Sequence, residues 1–269
     1  MQESVLLIRE ASLSAMALGQ GLTQIRKYDF SKTGFFYSSL LQLSTGLERI
    51  LKLIIIYAHR LKFGKFPSNK ELRGYGHNLT ELFEKSLRIA NEFGCDEIAE
   101  FYFKDEIYGK IISLLLSDFA MQARYYNLDL LTGRNQKNSD EPLARWEKEI
   151  NTEILKRHFR PRKSTLIKWG FVIDALEDYS FIFHTAEDGS EIDSFSDMAK
   201  QAMLVPTKQK YSMYYLYILI RYLSQLLQFL EEKGEFYPFL REFFMIFMVE
   251  KREEIIRKKS WNPFPPYKF

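Results

Sequence analysis

The sequence is poor in cysteine and histidine, and it lacks long uninterrupted apolar runs. Its single cysteine, Cys95, excludes an intramolecular disulfide, and four scattered histidines give no zinc-ligand spacing. The longest apolar stretches, residues 213–220 and 243–249, are far shorter than the roughly 20 residues that a membrane-spanning helix needs. Residues 1–10 have neither a basic start nor a long apolar run, so we see no secretory signal. We therefore expect a soluble, cytoplasmic protein without a membrane span.

Glycine and proline are also scarce, with 13 and 8 residues among 269. Turn residues at the short, even spacing of a β-sandwich are absent, which favours long helices. The hydrophobic share of 46% and the charged share of 27% are typical of a globular chain with a substantial core. Because the sequence has no glycine-rich phosphate loop, dinucleotide-binding turn or nucleophile elbow, we expect no bound cofactor. The acidic residues 187–193 lack the ligand spacing of an EF-hand, so we also expect no metal.

Helical periodicity runs through most of the chain. The clearest segment has apolar residues from Phe36 to Leu61 at alternating spacings of four and three, which predicts one long helix. Further helices are predicted over residues 3–27, from Ser68 or Asn78 to 93, and over 96–131, 143–158, 164–183, 210–232 and 236–259. Residues 181–195 contain Asp188 followed by Gly189 between apolar flanks, and they fit either a short hairpin or a loop.

A polar segment from Gly133 to Pro142 marks a boundary in the chain. We assign residues 1–133 to an antiparallel helical bundle. Residues 134–269 form a helical C-terminal extension that either packs on the bundle or is a second subdomain. The predicted fold class is all-α, with the hairpin of residues 181–195 as its only candidate sheet.

Charge is unevenly distributed, although the net charge of +3 is too mild to indicate nucleic-acid binding by itself. Residues 156–168 carry six basic residues and no acid, and residues 169–199 carry eight acids and no Lys or Arg. The cations of the first run are candidates to follow an RNA phosphate backbone. They are Lys156, Arg157, Arg160, Arg162 and Lys163. The alternative is a solvated connection that pairs with the acidic block.

Arg73 and His77 are a candidate catalytic pair. If the stretch between them is helical, they share one face, with Lys70 two turns before His77. A histidine beside two cations tends to stay neutral and can act as a base, whereas Arg or Lys can hold a phosphate. These groups suit metal-free phosphodiester cleavage by general acid–base catalysis. The alternative is that His77 packs or caps at the start of the third helix.

Glu48 follows an apolar seam residue of the long helix, so its carboxylate needs a partner. The candidates are Lys52, one turn later, and Arg124 from another helix. We expect this interaction to be a structural ion pair.

Three segments together resemble the HEPN-like superfamily. They are residues 44–52 (STGLERILK), 74–82 (GYGHNLTEL) and 124–131 (RYYNLDLL). The resemblance covers roughly residues 30–133 and implies a small helical bundle. Many members are metal-independent ribonucleases of toxin–antitoxin and antiviral defence systems, usually homodimers whose Arg/His motifs meet at the dimer cleft. Here three residues separate Arg73 from His77, and six separate Lys70 from His77.

The resemblance implies that this chain acts on or binds RNA in a prokaryotic defence or toxin context. His77 would be the acid or base, Arg73 the phosphate clamp, and Lys70 a further cation. Arg124, in the third segment, and the cations of the 156–163 run would bind RNA. Other members of the superfamily are noncatalytic binding or dimerisation modules. In that alternative, the aromatic-rich C-terminal helices would bind a protein partner.

Overall fold

The computed structural model describes residues 2–95, 105–113, 119–120, 125–133 and 141–264. These residues are predominantly helical and contain one two-stranded sheet, which confirms the all-α class. Within this part of the chain, no helix combines the length and the apolar character that crossing a membrane requires.

The N-terminal part contains helices α1 (Gln2–Ile25), α2 (Gly34–Phe63), α3 (Asn69–Gly74), α4 (Leu79–Phe93), α5 (Glu106–Ile112) and α6 (Tyr126–Leu131). The C-terminal part begins with α7 (Pro142–Trp146), a π-helical segment (Glu147–Asn151), α8 (Thr152–His158), α9 (Lys163–Leu176) and a 3₁₀ turn (Glu177–Tyr179). It continues with strands β1 (His184–Thr185) and β2 (Glu191–Ile192), α10 (Phe195–Lys233), α11 (Arg241–Phe244), a 3₁₀ turn (Met245–Phe247) and α12 (Arg252–Arg257).

Helices α1 and α2 form an antiparallel pair whose backbones approach closely. The Ser14 hydroxyl donates to the Gly46 carbonyl at 2.9 Å, and the Ser39 hydroxyl donates to the Gly21 carbonyl at 2.8 Å. A Cβ on Gly46 would lie only 2.7 Å from Cγ of Leu18. The glycines that lower intrinsic helix propensity therefore allow tight helix packing here.

One buried core joins the two parts of the chain. The apolar seam of α2, including Leu43 and Ile54, belongs to the same core as Leu216 and Leu223 of α10. The C-terminal region therefore packs on the N-terminal helices.

A buried polar network reinforces this packing. The Asn151 amide donates to the Tyr28 hydroxyl at 2.9 Å, and its oxygen accepts from the Ser212 hydroxyl at 3.2 Å. The network links the connection after α1 to the π-helical segment and α10.

Both predicted starts of the third helix are used, each by a separate helix. Ser68 and Glu71 form a capping box before α3, and the Asn78 side chain accepts from the Glu81 amide before α4. Helix α2 spans the predicted seam and ends before Gly64, which has a left-handed φ of 69°. The hairpin is also formed, with His184 opposite Ile192 in an antiparallel register.

The prediction of one helix over residues 236–259 is wrong. Tertiary contacts take the backbone groups that a continuous helix would use. The Pro238 carbonyl accepts from the Tyr57 hydroxyl at 3.2 Å, and the Val249 carbonyl accepts from the Tyr217 hydroxyl at 2.9 Å. Leu240 donates its amide to Glu231 rather than to a helical carbonyl. The segment is instead divided into α11, a 3₁₀ turn and α12.

Other boundaries differ from the predicted ones or fall outside the description. The helix predicted over residues 210–232 begins much earlier, at Phe195, because Ser194 caps it. The helix predicted over 164–183 ends at Leu176 and continues only as the 3₁₀ turn. Of the helix predicted over 96–131, α5 and α6 are described, and residues 134–140 of the predicted boundary lie outside the described residues.

Candidate functional site

His77 lies in the turn between α3 and α4. Helix α3 ends at Gly74, the Gly76 amide donates to the Arg73 carbonyl at 2.9 Å, and Gly76 has a φ of 54°. The stretch from Arg73 to His77 is therefore not a continuous helix, and the prediction that both side chains share a helical face is wrong. Two glycines and the N-cap Asn78 explain the break.

The side chain of His77 is held by the long helix α2. Its Nδ1 lies 2.9 Å from Oε1 of Glu48, and Nζ of Lys52 lies 2.7 Å from the same oxygen. The predicted Glu48–Lys52 ion pair is confirmed, and His77 is the partner that the sequence did not reveal. The His77 side chain is 78% exposed, whereas that of Glu48 is only 25% exposed.

The electrostatics keep Glu48 ionised. Burial alone would raise the pKa of Glu48, but hydrogen bonds and charges from Lys52 and His77 outweigh it, so the pKa lies below its ordinary value. A carboxylate oxygen only accepts hydrogen bonds, so Nδ1 of His77 carries the proton in this contact. In a neutral imidazole, Nε2 is then left as an unprotonated acceptor, which is the form that a general base needs.

Arg73 and Lys70 lie on the exposed surface of α3. Within the described ranges, neither side chain has an ion pair or a side-chain hydrogen bond. Lys52 is the cation that the fold places next to His77, because both nitrogens contact one oxygen of Glu48. Lys52 belongs to the first of the three segments that carry the resemblance, residues 44–52.

A cleft of about 310 Å³ adjoins this group. Glu48 and Lys52 line it from α2, and Leu72 lines it from α3. Arg49 of α2 and Glu10 of α1 form an ion pair at its wall. The cleft opens beside the Glu48 carboxylate, and His77 is not among its lining residues.

The basic run of residues 156–163 does not act as one unit. Arg157 pairs with Asp105 and with Glu153, and the hydrogen bond that it donates to Asp105 is the main cause that raises the pKa of Arg157. Its charge is therefore neutralised locally, and the acids that pair with it are not those of the 169–199 block. Lys156 and Lys163 are exposed.

Arg160 and Arg162 line a second cleft, of about 400 Å³, against α10. We call it the basic groove, and its charged and aromatic lining residues are His158, Phe159, Arg160, Arg162, Trp169, Lys210 and Tyr211. His158 stacks on Tyr211 with ring centroids 3.7 Å apart and planes at 6°. Its Nε2 lies 3.0 Å from the Tyr215 hydroxyl.

Burial and the charges of Arg252, Arg157 and Arg160 lower the pKa of His158 to about 4, so the ring is neutral at pH 7. His158 is not among the site residues predicted from the sequence. Two sequence features could have identified it: its position inside the basic run, and the tyrosines spaced one helical turn apart at 211 and 215.

The comparisons with known proteins add no assignment. The chain matches no protein-family model, and neither curated proteins nor solved structures give a significant match. Across the described residues, no group of three or more His, Cys, Asp or Glu side chains is arranged to hold a metal ion. Arg124, the remaining predicted RNA-binding residue, lies outside the described residues.

Proposed function

We propose that this chain is an HEPN-like, RNA-directed protein of a prokaryotic defence or toxin system, and that it cleaves RNA without a metal ion. The contact between exposed His77 and Glu48 carries this proposal. Glu48 and Lys52 belong to the first HEPN-like segment and His77 to the second, and the three side chains meet at one carboxylate oxygen. An ionised carboxylate that orients a solvent-facing imidazole supports a role in proton transfer.

In this mechanism, Nε2 of His77 removes the proton from a ribose 2′-hydroxyl. The 2′-oxygen attacks the neighbouring phosphorus, the bond from phosphorus to the 5′-oxygen breaks, and the leaving oxygen takes up the proton. The products are a 2′,3′-cyclic phosphate and a 5′-hydroxyl, so no water or metal ion enters the step. Lys52, Arg73 and Lys70 supply positive charge for the phosphate.

The test is RNA cleavage by the purified chain in EDTA. We expect the wild type to cleave and to leave 2′,3′-cyclic phosphate ends. His77→Ala should reduce the rate by about 10²–10⁴-fold, the usual contribution of a positioned acid or base. Glu48→Gln should reduce the rate as well, because the amide cannot hold the imidazole in the same charged contact.

His184→Ala is the matched control, because His184 is also an exposed histidine but lies in the hairpin. It should cleave like the wild type. Failure of the wild type to cleave any of several RNAs would refute the nuclease proposal. Equal cleavage by the wild type and His77→Ala would also refute the role of His77.

A second candidate function is dimerisation through α9, and the exposure of this helix favours it. None of its 14 residues is buried, although a helix that is apolar on most sides normally lies inside a protein. Large exposed apolar side chains follow one another through α9 and the segment after it. They are Leu166, Ile167, Phe171, Val172, Leu176, Tyr179, Phe181 and Phe183.

The charges around α9 fit a second copy of the same chain. Lys163 and Lys168 lie in its first half, Asp174 lies near its other end, and Asp178 lies in the 3₁₀ turn that follows. Two antiparallel copies related by a twofold axis would place Lys163 opposite Asp178 and Lys168 opposite Asp174, which is the self-complementarity that an isologous interface needs. The apolar surface is on the order of 800–1,000 Å² per copy, close to the roughly 800 Å² of a standard interface.

Light scattering on charge-reversed variants tests this function. Lys163→Glu/Lys168→Glu and Asp174→Lys/Asp178→Lys should each be monomeric at micromolar concentration, and mixing them should restore a dimer. Lys85→Glu/Arg88→Glu on α4 is the control and should dimerise like the wild type. A monomeric wild type, or charge-reversed variants that still self-associate, would refute dimerisation through α9.

A further inference from the structure

The basic groove has the dimensions and walls of a ligand site. Its volume of about 400 Å³ lies in the roughly 300–1,000 Å³ range of small-molecule pockets. The segment that connects α8 to α9 forms one wall, and α10 forms the other. Pro161 and Pro206 lie on opposite walls, so both walls contain a residue with a fixed φ angle.

The charges of the basic groove suit an anion. Arg160, Arg162 and Lys210 line it, and none of the described residues in its lining is acidic. Arg160 is already oriented, because its guanidinium donates to the Phe159 carbonyl at 2.8 Å. Arg162 and Lys210 have no acidic partner among the residues that the structure describes. Three cations without local neutralisation are a site for phosphate oxygens.

The aromatic residues of the basic groove suit a planar ring. Trp169 is half-buried in the wall from α9, and Tyr211 carries the stacked ring of His158 in the wall from α10. The guanidinium of Arg252 lies over Tyr211 and Tyr214, at 5.9 and 5.4 Å from their centroids, and supports this stack from outside the groove. Aromatic side chains in such a groove bind a base by stacking, whatever the identity of the base.

We propose that the basic groove binds one nucleotide unit, with the base against Trp169 and the phosphate between Arg160, Arg162 and Lys210. The choice of single-stranded RNA as the source of this nucleotide rests on the proposed function. The same chemistry is present in a free mononucleotide, so both sources are compared in the test. The groove lies on residues of the C-terminal region, whereas His77 lies in the N-terminal bundle, so binding and cleavage can fail separately.

Tryptophan fluorescence reports on the basic groove. The chain has three tryptophans, and Trp146 and Trp261 are each only 1% exposed, so an added ligand contacts Trp169 first. The full-length His77→Ala chain would be titrated with a short single-stranded RNA, with AMP and UMP, and with inorganic phosphate. We expect the RNA to quench the fluorescence and Trp169→Leu to abolish the change.

The decisive comparison uses two pairs of cations from the same region. Arg162→Gln/Lys210→Gln removes two groove cations and should weaken RNA binding by at least about tenfold. It should also lower the slope of log K against log salt by up to about 0.7, the expected loss for one phosphate contact on a single strand. Lys148→Gln/Lys259→Gln removes two exposed cations of the C-terminal region that do not line the groove, and it should bind nearly like the parent chain.

Thermal melts would verify that each variant is folded, and Arg162→Gln alone provides a milder variant if the double substitution unfolds the chain. Equal quenching by AMP or UMP and by RNA would support the site and identify a free nucleotide as sufficient. No quenching by any nucleotide would overturn the proposal, as would equal losses in the two double variants. If the wild type does not cleave RNA but the groove binds it, only the nuclease proposal is refuted. If the wild type cleaves RNA but the groove does not bind it, only the proposed nucleotide site is refuted.

Discussion

Lys208 is a buried cation whose removal should strongly destabilise the protein. Its side chain is 1% exposed, and its Nζ lies 2.7 Å from Glu147 and 3.1 Å from Glu187. Lys208→Met preserves most of the side-chain volume but leaves two carboxylates without their cation. Breaking a buried ion pair by removing one partner costs about 3–5 kcal/mol. For a chain of this size, that loss corresponds to a melting temperature lower by about 5–9 °C.

The pH dependence separates this effect from simple loss of packing. Burial raises the pKa of Glu187. The charge of Lys208 lowers this pKa, and the charge of Glu147 raises it further. Without Lys208, the pKa of Glu187 should rise further, because burial and Glu147 then act unopposed. A carboxyl with a raised folded pKa destabilises the fold as pH rises above its unfolded pKa, so the defect of Lys208→Met should shrink as pH falls from 7 to 5.

Melting of Lys208→Met at both pH values would measure the effect, with Lys208→Met/Glu187→Leu as the compensating variant. The double variant should recover part of the lost stability, because it removes the unpaired carboxylate as well. A melting temperature of Lys208→Met within about 2 °C of the wild type would refute the reasoning, as would a defect that is the same at both pH values.

Two further predictions concern stability. Burial and the charges of Arg252, Arg157 and Arg160 depress the pKa of His158 to about 4, so its contribution to stability is present above an unfolded pKa of about 6.5 and is lost as pH falls towards 4. This shift of the pKa corresponds to about 3 kcal/mol of pH-dependent stability, which solvent screening reduces to about 1–2 kcal/mol. In His158→Gln, the free energy of unfolding measured by urea denaturation should therefore change less with pH over this range. An unchanged profile would contradict this assignment. Gly46→Ala should lower stability by about 1–3 kcal/mol because the added Cβ meets Leu18, whereas Gly74→Ala, with nothing within 4 Å, is its control. Equal melting temperatures for the two would argue against the close helix contact.

Local signals predicted much of the fold. The seam of α2 and the caps at Ser68 and Asn78 depend on residues within one or two helical turns, so the sequence displays them directly. The segment at 236–259 has an equally apolar pattern, but tyrosines from α2 and α10 take up its carbonyls. Such long-range hydrogen bonds leave no periodic signal in the sequence.

The candidate sites show the same difference between local and long-range contacts. The Glu48–Lys52 pair was predictable because its members are one turn apart, whereas the contact of Glu48 with His77 spans 29 positions. The basic run identified Arg160 and Arg162, but Lys210 and Trp169 joined them only through the packing of α9 on α10. In the sequence, Arg157 does not differ from the other cations of the basic run, and only the fold places Asp105 beside it.

The contact between Gly19 and Trp261 has a consequence for the order of assembly during synthesis. Trp261 is 1% exposed, its amide donates to the Thr23 hydroxyl at 2.9 Å, and a Cβ on Gly19 would collide with its carbonyl at 2.2 Å. The groove on α1 that receives this tryptophan leaves the ribosome before its occupant, because Trp261 follows Thr23 by 238 positions. The nascent helices α1 and α2 therefore keep an exposed apolar groove until residue 261 has been synthesised, and this part of the core closes only then.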